Sequence, residues 1–149
     1  MLIEGIDTGV ALLEAGVTTN INERAKYTAN TGMALISVAN PYLDGSGDIQ
    51  LVITGDAKGT LIKTITVKGI VSTTRGMVRL FVNGTFSGVT STLLIDEIDI
   101  PAVIKSGIAE SFEITYDLDY FLANGFSLYA STQNDESFTV IADGLDFTY

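Results

Sequence analysis

The side chains able to do chemistry are few in this sequence. Asp7-Thr8-Gly9 reproduces the triplet that carries the carboxylate of aspartic proteases. Asp44, Ser46 and Asp48, in YLDGSGDI, put oxygen ligands at alternate positions, as a calcium loop does. The doublet Asp96-Glu97 and the pair Asp117/Asp119 are equally permissive oxygen ligands and equally unspecific. Against these stands the absence of histidine and cysteine from all 149 residues. The commonest general base and the best nucleophile are therefore missing.

Each group also has a plainer reading. The Asp-Thr-Gly triplet follows Glu4-Gly5 instead of an apolar strand, precedes Val10 and has no second copy, so capping a short helix suits it better. That helix would run from Asp7 or Thr8 through Glu14, with Gly16 as its stop. The YLDGSGDI spacing lacks the fixed Gly and distal Glu of an EF-hand, and an Asp in a turn needs no metal. Gly45-Ser46-Gly47 lacks the helix and lysine of a phosphate loop. Asn83-Gly84-Thr85 fits the glycosylation pattern but reads better as a hairpin turn. No catalytic, cofactor-binding or metal-binding residue is assigned, and no cofactor is expected.

The elements that would position such groups follow from composition and period. The length suits one domain with a real core, and 46% apolar with 17% charged residues is globular composition. No apolar run approaches the ~18–20 residues of a membrane helix. Glu4 and Asp7 stand where a signal peptide needs Lys or Arg, so export by that route is not expected. A net charge of −10 argues against nucleic acid as partner. The charge is also divided along the chain. Lys58, Lys63, Lys68, Arg75 and Arg79 fall in a stretch free of acids, while eleven acidic residues after Ile95 face Lys105 alone. Charge exchange between neighbouring strands explains this most simply, and a basic face for an acidic partner is the sharper alternative.

From Gly32 onward short apolar runs recur between turn formers. They include MALISV, DIQLVIT, TLIKTITVK, GMVRLFVN, TSTLLIDEIDI, ESFEITYDL, FSLYAST and SFTVIA. β-Branched and aromatic residues dominate them, and no helical period of ten residues intervenes. The expected fold is all-β, an antiparallel two-sheet sandwich over 28–149 with jelly-roll topology, and an immunoglobulin-like sandwich as the second choice. Residues 1–27 read as an N-terminal arm. The expected core includes Ile65, Val67, Leu80, Val82, Phe112, Ile114, Leu128 and Val140. In TTRGMVRLFVNGT, Val78, Leu80 and Val82 take the core side. Met77, Arg79 and Phe81 then make an apolar outer face of the kind found at subunit contacts.

Several phrases together carry a resemblance: ANTGMALISVANPYLDGSGDI, GTLIKTITVK, STTRGMVRLFV, LLIDEIDIPA and NGFSLYASTQNDESFTVIADGLDF. From about Thr28 to Tyr149 the chain resembles small virion structural proteins of tailed bacteriophages. The resemblance implies a capsid decoration (cement) protein, or the shell-binding module of a head fibre. The partners would be the major capsid protein shell and further copies of the chain, most plausibly as a homotrimer. The place would be the capsid surface, after synthesis in the host cytoplasm. The family offers no catalytic motif to carry over. Candidate interface residues are Met77, Arg79 and Phe81, the basic Lys63 and Lys68, and Leu12 and Leu13 of the arm. A head-fibre or tail-associated module that recognises carbohydrate or a host surface is the alternative, with Tyr42, Tyr120 and Tyr129 as stacking groups. A carboxylate-pair glycosidase is the third reading, and no spacing supports it.

Overall fold

The computed structural model describes residues 27–148, and the expected arm, with Leu12 and Leu13, lies outside them. Ala29–Asp146 form one compact unit, which holds the sites described below. Among the described residues there are eight strands and no helix. They are β1 (Tyr27–Ile36), β2 (Gln50–Thr54), β3 (Thr60–Gly69), β4 (Gly76–Phe86), β5 (Val89–Ile100), β6 (Glu113–Leu122), β7 (Ser127–Thr132) and β8 (Phe138–Phe147).

The strands make two four-stranded sheets, in the orders β1-β8-β3-β6 and β2-β7-β4-β5. The logic of these orders is a rolled ribbon. β4 and β5 form a hairpin, β3 pairs with β6 and β2 with β7, all antiparallel, and β1 lies beside β8. Rolling that double ribbon brings β3 against β8 and β4 against β7, again antiparallel. This is the jelly-roll order expected from the sequence.

Alternation explains most of the burial. Val78, Leu80 and Val82 are fully buried, as are Ile65, Val67, Leu128 and Val140. In β3 the apolar positions Ile62 and Ile65 are three apart, which a period of two cannot bury together. A register shift at Ile62/Thr64 in both pairings of β3 resolves this by turning Lys63 outward. Two expected core positions differ. Ile114 is 37% exposed and Phe112 only partly buried. Ile114, in edge strand β6, and Phe112, just before it, lie at the open edge of their sheet, where both line a cavity.

The hairpin turn also moves. Asn83-Gly84 lies inside β4, opposite Thr92 and Ser91, and the chain reverses at Ser87-Gly88. Both turn residues have positive φ (50° and 81°), as the two-residue turn matched to strand twist requires. Asn83 instead donates through Nδ2 to Thr92 Oγ1 at 2.8 Å. Gly84 is needed for space, since a Cβ there would stand 2.6 Å from the Phe126 ring.

The two long edges of the sandwich are unlike. At one edge β1 meets β2 so closely that a Cβ on Gly32 would fall 2.1 Å from the Val52 carbonyl oxygen. At the other edge β5 and β6 stand apart, and cavities open between them.

Candidate docking face and edge cleft

The candidate interface residues are not brought together into one free surface. Phe81 is fully buried, Arg79 is 7% exposed and Met77 is half-buried. The outer face of β4 is apolar because the chain itself covers it. The 37–49 loop, which joins β1 to β2, pairs with the end of β7 at the Ala39–Thr132 bridge and reaches β5, where Gly45 rests on the Thr92 side chain. Arg79 meets this cover with Nε on Glu97 at 2.9 Å and one terminal nitrogen on the Asn40 carbonyl at 3.3 Å.

Asn40 organises that loop. Its buried amide donates to the Ser46 and Asp48 carbonyls, both at 2.9 Å, and its oxygen accepts the Tyr42 N–H at 2.9 Å. The proposed calcium ligands of this loop are otherwise engaged. Asp44 accepts from the Ser46 N–H and hydroxyl, bonds that hold its carboxyl below the usual range, and Asp48 accepts from Gln50.

Two lysines of the basic stretch are paired with acids on β6 or just before it. Lys63 pairs with Asp119 at 3.2 Å, and Lys68 with Glu110 and Glu113 at 3.4 and 3.3 Å. Hydrogen bonding to Glu113 leads the effects that raise the Lys68 pKa. The division of charge along the sequence is thus largely a pairing of β3 with β6 and of β4 with β5.

A different surface stands out, at the end where the 70–75, 101–112 and 133–137 loops meet. Thr73 and Val103 exchange two backbone hydrogen bonds, at 2.8 and 3.1 Å, and the Lys105 N–H donates to Ser72 Oγ at 2.9 Å. The third loop joins through the Ile70 N–H on the Ser137 carbonyl and through Glu136, which accepts the Thr74 N–H at 2.8 Å and its hydroxyl. Within 101–112, Ser106 Oγ accepts the N–H groups of Ile108 and Ala109 and fixes a turn. This bonded platform presents Ile104 at 84% and Ile108 at 101% exposure, beside the exposed Ile70 and Val71. The loops of the opposite end (55–59, 87–88 and 123–126) carry no exposed large apolar side chain among the described residues. Sequence reasoning missed this face. AVIKSGIAE shows two isoleucines among turn formers, but nothing in the pattern says that a loop isoleucine points outward.

Below the platform, along the open edge, lies a cleft of about 540 Å³. Ile100, Pro101, Phe112, Ile114 and Met77 make its apolar walls, and Arg75, Asp99 and Gln133 contribute polar groups. A second cavity of about 300 Å³ shares Asp99 and Ile114 with it and continues to Asp96 and Tyr116. There Tyr116 donates its hydroxyl to Asp96 at 2.6 Å. Burial first, then that bond and the Asp96 charge, push the phenol pKa well above its ordinary value. Asp96 is thereby committed to a neutral donor, and Asp117 and Asp119 lie exposed on β6, away from this cleft.

No family model matches the chain, and no curated protein matches it in sequence. Among solved structures it is similar to the N-terminal endo-1,4-β-D-xylanase 10B of Clostridium thermocellum, its CBM22-1 and GH10 modules complexed with xylohexaose. The identity is 15% and the TM-score 0.41, over 83% of this chain. The chain spans 26% of that protein's length. Similarity of this degree identifies neither a family nor a function.

Proposed function

We propose that this protein is a non-catalytic assembly module, a jelly roll that docks on a protein lattice through the loop platform and so acts as a capsid decoration protein. The observation that supports this is the exposure of Ile104 and Ile108 on loops that are hydrogen-bonded to one another. Holding such side chains in water forgoes roughly 1.5–3 kcal/mol of burial apiece, which contact with a partner recovers. A rigid platform loses little entropy on docking, so more of that energy appears as affinity. The virion resemblance of 28–149 supplies the identity of the lattice, the major capsid shell. Self-association as a trimer belongs to the same reading.

The test is co-sedimentation with empty phage shells of the wild-type chain and of a double variant, Ile104→Ser with Ile108→Ser. The variant should keep its thermal transition and lose at least about tenfold in shell affinity, as central apolar anchors do. Equal binding by both proteins would remove the platform from the account.

One observation favours a second reading. The open-edge cleft combines apolar walls with polar groups, the pattern of small-molecule sites. A fibre- or tail-associated module that recognises carbohydrate would use such a site.

A further inference from the structure

We infer that the open-edge cleft is the subsite for one residue of a neutral oligosaccharide, and that the chain of sugars continues along the edge toward Tyr116. The inference rests on the second reading above and names its site and ligand. The other basic side chains of the paired strands are occupied: Lys63 by Asp119, Lys68 by Glu110 and Glu113, Arg79 by Glu97. Arg75, Asp99 and Gln133 line the cleft, and their side chains make no hydrogen bond or ion pair among the described residues. All three side chains are exposed and so hydrated in the free protein, and together they place a guanidinium, a carboxylate and an amide around one cavity, a donor and acceptor set that a hydroxyl-bearing ligand can meet.

The chemistry of that set selects the ligand class. The guanidinium only donates and the carboxylate only accepts, while the amide does both. A vicinal diol both donates and accepts, and so satisfies such neighbours together. A simple ion would satisfy only one of the two charged groups. The ring face of a pyranose carries C–H groups, which suit walls made by Ile100, Pro101, Phe112 and Ile114. The charges of Arg75 and Asp99 cancel, and the chain's net −10 repels acidic sugars at long range. The ligand is therefore neutral. Its size follows from volume. The cleft alone, about 540 Å³, lies inside the roughly 300–1,000 Å³ of small-molecule sites. The adjoining cavity along Ile98 and Tyr116 gives room for a further residue.

The experiment is an amide NMR titration of the full chain with cellohexaose, xylohexaose, chitohexaose and maltohexaose at millimolar concentration. At least one should shift resonances of residues 75–77, 99–101, 112–114 and 133 together. Asp99→Ala and Gln133→Ala should each weaken that binding by about tenfold while leaving the dispersed spectrum of the fold intact. Shifts that map to the loop platform or an outer sheet face would overturn the cleft and leave carbohydrate recognition standing. Binding unchanged in both variants would equally overturn the cleft. No shift with any of the four sugars would remove the cleft and the second reading together.

Discussion

A buried amide destabilises a fold unless its donors and its acceptor are met, and Asn40 meets that condition with three bonds inside one loop. Asn40→Ala leaves two carbonyls and one N–H without partners and loosens the cover over Phe81 and Arg79. The expected loss is about 2–3 kcal/mol, read from the urea midpoint at unchanged slope. Tyr116 gives a second prediction at this scale. Its neutral form is favoured in the folded protein, so its contribution is fully present below the ordinary tyrosine pKa of about 10 and fades as pH rises through the raised folded value. Absorbance titration should show one phenol ionising later than the exposed tyrosines, in step with alkaline unfolding. Tyr116→Phe should abolish that late step and flatten the alkaline limb of the stability curve. A late step that survives the substitution would assign it to another residue.

Strands were legible in this sequence to the extent that alternation and turn chemistry agree. β4, β7 and β8 bury the residues their period selects, β3 does so on either side of its register shift, and the ribbon order follows once β4 and β5 form a hairpin. Asn83-Gly84 misled because the same dipeptide can make a turn or fill a crowded strand, and only the Phe126 ring decides between them. Ser87-Gly88 carries a weaker signal and is the true reversal. Gly84→Ala should therefore cost about 1–3 kcal/mol through crowding against Phe126, and trimming that ring in the same chain (Phe126→Leu) should recover part of the loss. Additive losses in the double variant would point instead to backbone freedom at Gly84. The outer face of β4 was illegible for another reason. Its apolar residues signal a cover, and the sequence does not say whether the cover is a second subunit or the chain's own 37–49 loop. Ile104 and Ile108 were unread because exposure is a property of the assembled loops.

At the scale of the molecule, charge and apolar surface sort differently. Lys63, Lys68 and Arg79 are paired within their sheets, so reversal at Lys63 and Lys68 acts first on β6 rather than on a distant partner. Large apolar side chains are exposed on the loop platform, on the outer side of edge strand β1 at Met33 and Leu35, on the 37–49 loop at Val38, Tyr42 and Leu43, and on β5 at Val89 and Leu93. The β1 surface suits self-association, and light scattering should return a multiple of 15.8 kDa, three copies in the reading adopted here. A mass near the single chain at micromolar concentration would contradict it. The most direct measurement of the central claim is a cryo-EM map of empty phage shells decorated with the full chain. Loops 70–75 and 101–112 should face the shell, with Ile104 and Ile108 buried against it. A map in which those loops point to solvent, with another face of the sandwich on the shell, would contradict it.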